Sequence, residues 1–237
     1  MKFEEMINQV IQGDCLEIMR QLPDKCIDLV VADPPYGITG IEWDDIEVFK
    51  SSIDNMMRVA KAVILFGNIQ MHQYLKNFKF EFIWDKHVGA NFASVKHRPL
   101  RVHEFIFVCG DYSYYPVLAR NTLGNFGRKS VKMKSHPSTN LGSNYQENMG
   151  YPKTILSYLK PINLTDGGLH PTQKPIKLLE YLVRNFSKEN DIILDPFLGS
   201  GTTAVAAKQL GRNYIGIEIS EKYCEIARQR LRQEILL

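Results

Sequence analysis

The sequence predicts an α/β fold with a mostly parallel sheet. Three observations carry that reading. Short β-branched runs alternate with amphipathic helical stretches, two of those runs end directly in an acidic turn, and one such turn is glycine-rich and opens a helix. Strands are expected at residues 9–12, 27–32, 63–66, 81–84, 104–108, 192–194 and 214–217. Helices are expected at 16–21, 46–60, 71–77, 176–186, 202–210 and 221–234. The run at 27–32 is apolar apart from Asp28, and Ile192-Ile193-Leu194 is shorter but wholly apolar. In the last helix Tyr223, Ile226, Ala227 and Leu231 recur at helical spacing and should form one buried stripe.

A chain of 237 residues suffices for one sizeable core with room for an insertion. The stretch 110–169 supplies the insertion: Gly, Ser, Asn and Pro dominate it and no period persists. Apolar runs such as 62–66 fall far short of the roughly 18 residues of a membrane span. The start, Met1-Lys2-Phe3-Glu4-Glu5-Met6, does not read as a secretory signal, so a cytoplasmic protein is expected. Cys15, Cys26, Cys109 and Cys224 lack zinc-knuckle spacing and read as reduced thiols. The net charge is only +3, yet between Lys86 and Lys134 nine basic residues stand against Glu104 and Asp111. Such a local excess can neutralise phosphates, though a solvated surface loop would look the same.

The first acidic turn is Asp33-Pro34-Pro35-Tyr36, directly after the 27–32 strand. Ligands of open α/β sheets sit at the carboxyl ends of strands. Two prolines make a stiff turn with free carbonyls, and Asp33 adds an acceptor carboxylate. Acceptors at fixed positions suit a nitrogen bearing two N–H donors, such as an exocyclic amine. Holding both hydrogens draws the nitrogen lone pair out of the ring and makes it available for attack. Tyr36 offers a flat face for a base, worth about 1–3 kcal/mol in single-strand binders.

The second turn is Asp195-Pro196-Phe197-Leu198-Gly199-Ser200-Gly201-Thr202-Thr203, and the next strand ends at Glu218. Glycines let the backbone approach a ligand, and a later acid can bind ribose hydroxyls. Gly199-x-Gly201-x-x-Ala204 satisfies the loose dinucleotide pattern, so a nicotinamide dehydrogenase is a rival reading. Asp195 and the bulk of Phe197 point elsewhere, to a ligand carrying an ammonium group. The third segment, His170-Pro171-Thr172-Gln173-Lys174-Pro175, precedes a helix. Lys174 can meet a ligand carboxylate and so clamp a zwitterion together with Asp195. No second His or Cys lies close in sequence to His170, so no metal site is expected.

The order D-P-P-Y, H-P-T-Q-K-P, D-P-F-x-G-S-G-T-T resembles the beta group of DNA amino-methyltransferases of bacteria and phages, over nearly the whole chain. The resemblance implies a Rossmann-like S-adenosylmethionine-dependent methyltransferase fold. It has a seven-stranded mixed sheet, helices on both faces and a permuted motif order. It implies a catalytic half (1–109), an inserted target-recognition segment (110–169) and a cofactor-binding half (170–237). By resemblance Asp33, Pro34, Pro35 and Tyr36 hold a flipped base. Asp195, Phe197, Gly199, Ser200, Gly201 and Thr202 line the methionine side of the cofactor, and Glu218 binds its ribose. Asp14 and Cys15 meet its adenine, and Lys174 with His170 its carboxylate. Lys86, Arg98, Arg101, Arg128, Lys129, Lys132 and Lys134 become candidate DNA contacts. The implied reaction is methyl transfer to N6 of adenine in double-stranded DNA, with N4 of cytosine or a catalytically silent DNA-binding subunit as alternatives. A homodimer and a cognate restriction endonuclease are the other implied partners. The insert is short for the family.

Overall fold

The computed structural model describes residues 1–37, 46–90, 95–97, 99–117, 119–120, 149–157 and 173–233. The strands are β1 (Gln9–Gln12), β2 (Ile27–Ala32), β3 (Ala60–Gly67), β4 (Phe78–Ala90), β5 (Arg101–Gly110), β6 (Ala119–Arg120), β7 (Met149–Gly150), β8 (Ile155–Leu156), β9 (Ile192–Asp195) and β10 (Asn213–Glu218). The helices are α1 (Phe3–Met6), α2 (Cys15–Gln21), α3 (Ile46–Val59), α4 (Ile176–Phe186), α5 (Thr202–Gln209) and α6 (Glu221–Arg232), with a 3-10 helix at Ile69–Tyr74. There are two compact units: Met1–Tyr115 with Thr154–Leu237, and Pro116–Lys153. Within the second, β6 pairs antiparallel with β7.

The first unit is built on a mixed sheet in the order β1-β10-β9-β2-β3-β5-β4-β8. From β1 to β3 neighbours are parallel, β5 is antiparallel to both β3 and β4, and β8 is parallel to β4. Among the described residues this sheet has eight strands, not the expected seven. The extra strand, β8, is two residues long, so no alternation could mark it in a stretch without period.

Alternation along the strands feeds two cores. Val30, Ala32, Val63 and Leu65 meet Met19 of α2 and Phe49, Ile53 and Met56 of α3. Leu29, Val31, Ala62, Ile64 and Phe66 meet Leu178 and Leu182 of α4 and Ala206 of α5. A strand covered on both faces reads as a nearly unbroken apolar run, which explains 27–32. The exception, Asp28, has a structural task. Its Oδ2 accepts the Ile192 N–H at 2.8 Å and its Oδ1 pairs with Lys61 Nζ at 2.6 Å. It thereby ties the starts of β9 and β3 to β2.

Two local expectations are corrected. The helix expected at 71–77 is the 3-10 helix Ile69–Tyr74, opened by Asn68, whose side chain accepts the Gln70 N–H. It stops because β4 begins at Phe78, with Asn77 turning at φ +50°. In α6 the buried stripe is Cys224, Ala227 and Leu231, while Tyr223 and Ile226 stay partly exposed. The cause is close packing: a Cβ at Gly201 would lie 2.7 Å from the Ala227 Cβ, so small residues face the turn beneath. All four cysteines are free thiols, and among the described residues no helix is long and apolar enough to cross a membrane.

Candidate active site

β2 and β9 are parallel neighbours, in register at Leu29 with Ile193 and Val30 with Leu194. From β2 the chain proceeds to β3 on one side; from β9 it proceeds to β10 on the other. Here the strand order reverses, the place at which open α/β sheets form a ligand crevice at the carboxyl ends of their strands. Asp33 follows β2, Asp195 ends β9, Glu218 ends β10, and Asp14 lies just beyond β1. Four neighbouring strands thus deliver four acids to one edge of the sheet.

The glycine-rich turn is fixed by the acids around it. Asp195 Oδ1 accepts the Phe197 N–H at 3.0 Å. Glu218 accepts the Gly199 N–H through Oε2 and the Ser220 N–H through Oε1, both at 2.8 Å. Gly199 has φ +53°, and among the described residues nothing lies within 4 Å of the place its Cβ would occupy. Asp14 Oδ1 caps α2 by accepting the Leu16 and Glu17 N–H groups. Asp195 is buried, and its pKa is pushed up to about 7. Burial is the main cause. The Thr203 hydroxyl and Phe197 N–H oppose it, and the Asp33 and Glu218 charges add to it. Burial also pushes the Cys15 thiol up to about 11, with the Asp14 charge adding to it.

Beyond β2, Pro34 is buried and Tyr36 packs partly against the core. The Tyr36 hydroxyl donates to Asp33 Oδ1. Lys174 Nζ lies 2.7 Å from Asp33 Oδ2 and 3.2 Å from Glu104 Oε2, and Lys86 Nζ lies 2.8 Å from Glu104 Oε1. Burial works against charge on Lys174, but the Asp33 and Glu104 carboxylates outweigh it and raise its pKa. Burial likewise works against Glu104, and the Lys174 and Lys86 ammoniums bring it below the ordinary carboxylate value.

A family model described as DNA methylase matches residues 27–229, which contain both acidic turns. The chain belongs to the N6/N4 DNA methylase family. It is 30% identical to the type II methyltransferase M.HinfI of Haemophilus influenzae, over 97% of this chain and 69% of that protein. It is 32% identical to the type II methyltransferase M.ScaI of Streptomyces caespitosus, over 94% and 80% respectively. Among solved structures, the M1.HpyAVI–SAM complex aligns with a TM-score of 0.58 at 24% identity, covering 94% of this chain and 98% of that one. The cytosine-N4-specific PvuII DNA methyltransferase aligns at 0.65 and 18% identity, covering 96% and 87%. At such identities the likeness shows the fold.

The methylase fold brings Asp33, Pro34, Pro35 and Tyr36 to the same sheet edge as Asp14, Cys15, Asp195, Phe197, Gly199, Ser200, Gly201, Thr202 and Glu218. Lys174, expected to meet a ligand carboxylate, has two carboxylates of the methylase itself at its ammonium. Lys86 is paired with Glu104, and Arg101 is partly buried where β5 starts. His170, Arg98, Arg128, Lys129, Lys132 and Lys134 lie outside the described residues. Sequence reasoning passed over Glu104 and Arg230. Arg230 Nη1 donates to the Ser200 carbonyl at 2.6 Å and to Thr202 Oγ1 at 3.1 Å, bracing the glycine turn from α6. The only signal for Glu104 was an acid opening the apolar run 104–108.

Proposed function

We propose that the chain transfers a methyl group from S-adenosylmethionine to N6 of an adenine in double-stranded DNA. The observation that carries this reading is the adjacency of Asp33 and Asp195 at the crevice between β2 and β9. The residues there fit the donor. The open face of Gly199 leaves room for a ligand against the turn. A buried carboxyl with a pKa near 7 is poised to ionise when a cationic group arrives. Asp195 and residues 197–202 would hold the methionine end. Glu218, whose oxygens keep further lone pairs, would accept ribose hydroxyls, with Asp14 and Cys15 at the adenine. When bound, S-adenosylmethionine supplies an electrophilic methyl group on a sulfonium.

A base stacked in a duplex cannot reach that methyl, so the target base is flipped out, at a cost of about a few kcal/mol. Asp33 and the Pro34 carbonyl accept its two amino hydrogens, and Tyr36 stacks on its ring. Rate enhancement then comes mainly from positioning two bound reactants. The segment 110–169 is proposed to read the DNA sequence, with Arg98 and Arg101 among the DNA contacts and with phosphate contacts among Arg128, Lys129, Lys132 and Lys134. A second copy of the chain and a cognate restriction endonuclease are proposed partners.

N4 of cytosine is the second reading, because the same acceptors fit any exocyclic amine. Asp rather than Ser before Pro-Pro-Tyr favours adenine by family tendency. Mass spectrometry of nucleosides from DNA treated with the protein and labelled donor separates the two. N6-methyldeoxyadenosine is expected, and N4-methyldeoxycytidine alone would overturn the adenine assignment. Asp33→Ala should abolish transfer while cofactor affinity, measured by calorimetry, stays largely intact. Equal losses of rate and affinity would reverse the assignment of the two halves.

A further inference from the structure

Lys86, Glu104, Lys174 and Asp33 form a chain of alternating charge running from β4 through β5 and the segment before α4 to the end of β2. Their side chains are only 17%, 18%, 11% and 24% exposed. Buried ion pairs are poor stabilisers compared with apolar side chains of similar volume. A purely structural need would therefore be met at lower cost without charge. Both Asp33 oxygens already have donors: Tyr36 at Oδ1 and Lys174 at Oδ2. An amino group drawing on the same carboxylate must share its lone pairs and its approach with both. Of the two donors, Lys174 has a second carboxylate within reach, at 3.2 Å. Lys86, 2.8 Å from its far oxygen, holds that carboxylate in place.

We propose that Glu104 is a positioning residue that takes over the Lys174 ammonium when the target amino group engages Asp33. Asp33 is then free as an acceptor, and the buried Lys174 ammonium keeps a carboxylate partner. The inference rests on the proposed methyl transfer at Asp33. The groups facing Lys174 are Asp33 and Tyr36 after β2, Glu104 of β5, and the Phe66 ring of β3 with its centroid 4.9 Å away. Lys86 of β4 acts on Lys174 through Glu104. Removing Glu104 leaves burial opposed mainly by Asp33, so Lys174 should lose its proton at lower pH.

The test is Glu104→Gln in the full chain, with single-turnover methyl transfer followed against pH and cofactor affinity measured by calorimetry. The transfer rate should fall about 100-fold, the scale of a displaced reacting group. Its basic limb should move to lower pH, and cofactor affinity should stay within about twofold. Glu104→Asp should recover part of the rate. If Glu104→Gln does not fold, Lys86→Met with Glu104→Gln removes one charge of each sign, and the same loss is expected there. A folded variant within about threefold of the parent rate, or one whose basic limb is unmoved, overturns the role of Glu104. Such variants beside an active parent overturn this inference alone, whereas a parent that methylates no DNA overturns the methyl-transfer reading and this inference with it.

Discussion

Asp195, proposed to hold the donor's cationic end, also bears on stability. With its pKa raised to about 7, the folded chain keeps a proton there between about pH 4 and pH 7 that the unfolded chain has released. The folded state thus binds more protons, and stability falls as pH rises through that window. Above it the full cost of ionisation is present, on the order of a few kcal/mol. Asp195→Asn should therefore raise the melting temperature of the ligand-free protein at about pH 8, by much less at about pH 5, and leave it nearly unchanged at about pH 4. The same substitution should weaken cofactor binding. A difference in melting temperature independent of pH would mean that the carboxyl ionises normally. Asp33, Asp195 and Glu218 were legible in the sequence because each ends an apolar run, and strand ends are where sheets present groups to ligands. The ion chain was not legible. Glu104 lies 18 residues from Lys86 and 70 from Lys174; the pairing of β4 with β5 brings it to the first, and the segment before α4 brings it the second.

Sheet and helices differ in how openly the sequence declares them. The four central parallel strands were readable as apolar runs, and α4 as a stripe of Leu178, Leu179, Leu182 and Val183. β4 is much longer than its kernel at 81–84, because pairing with β5 extends it from Phe78 to Asp85 and resumes, after a register shift, at Ala90. Backbone pairing of that kind leaves no hydrophobic period. The glycine turn likewise depends on a contact from another element, the Arg230 guanidinium of α6 on Ser200 and Thr202. Arg230→Met removes these bonds and should raise the cofactor KM about tenfold, as expected for losing hydrogen bonds to a charged group. The kcat at saturating cofactor should change little. An unchanged KM would mean that the turn holds its shape unaided.

Strand order gives the molecule its crevice: both acidic turns come to one sheet edge because β2 and β9 are neighbours although 164 residues separate Asp28 from Ile192. That permuted arrangement was read from motif order and family resemblance; no local pattern encodes it. Binding of DNA belongs to the molecule as a whole, and the basic excess between Lys86 and Lys134 is proposed as its electrostatic signature. Neutralising Arg128, Lys129, Lys132 and Lys134 together should flatten the dependence of log affinity on log salt, by about 0.9 for each phosphate that is no longer neutralised. An unchanged slope would make them ordinary surface charges. The decisive experiment is a crystal structure of the chain with a donor analogue and a duplex carrying its methylation site. The transferable carbon and the target amino nitrogen should lie about 3–3.5 Å apart, between Asp195 and Asp33. A base still stacked in the duplex, or an analogue bound away from Gly199 and Glu218, would refute the shared crevice.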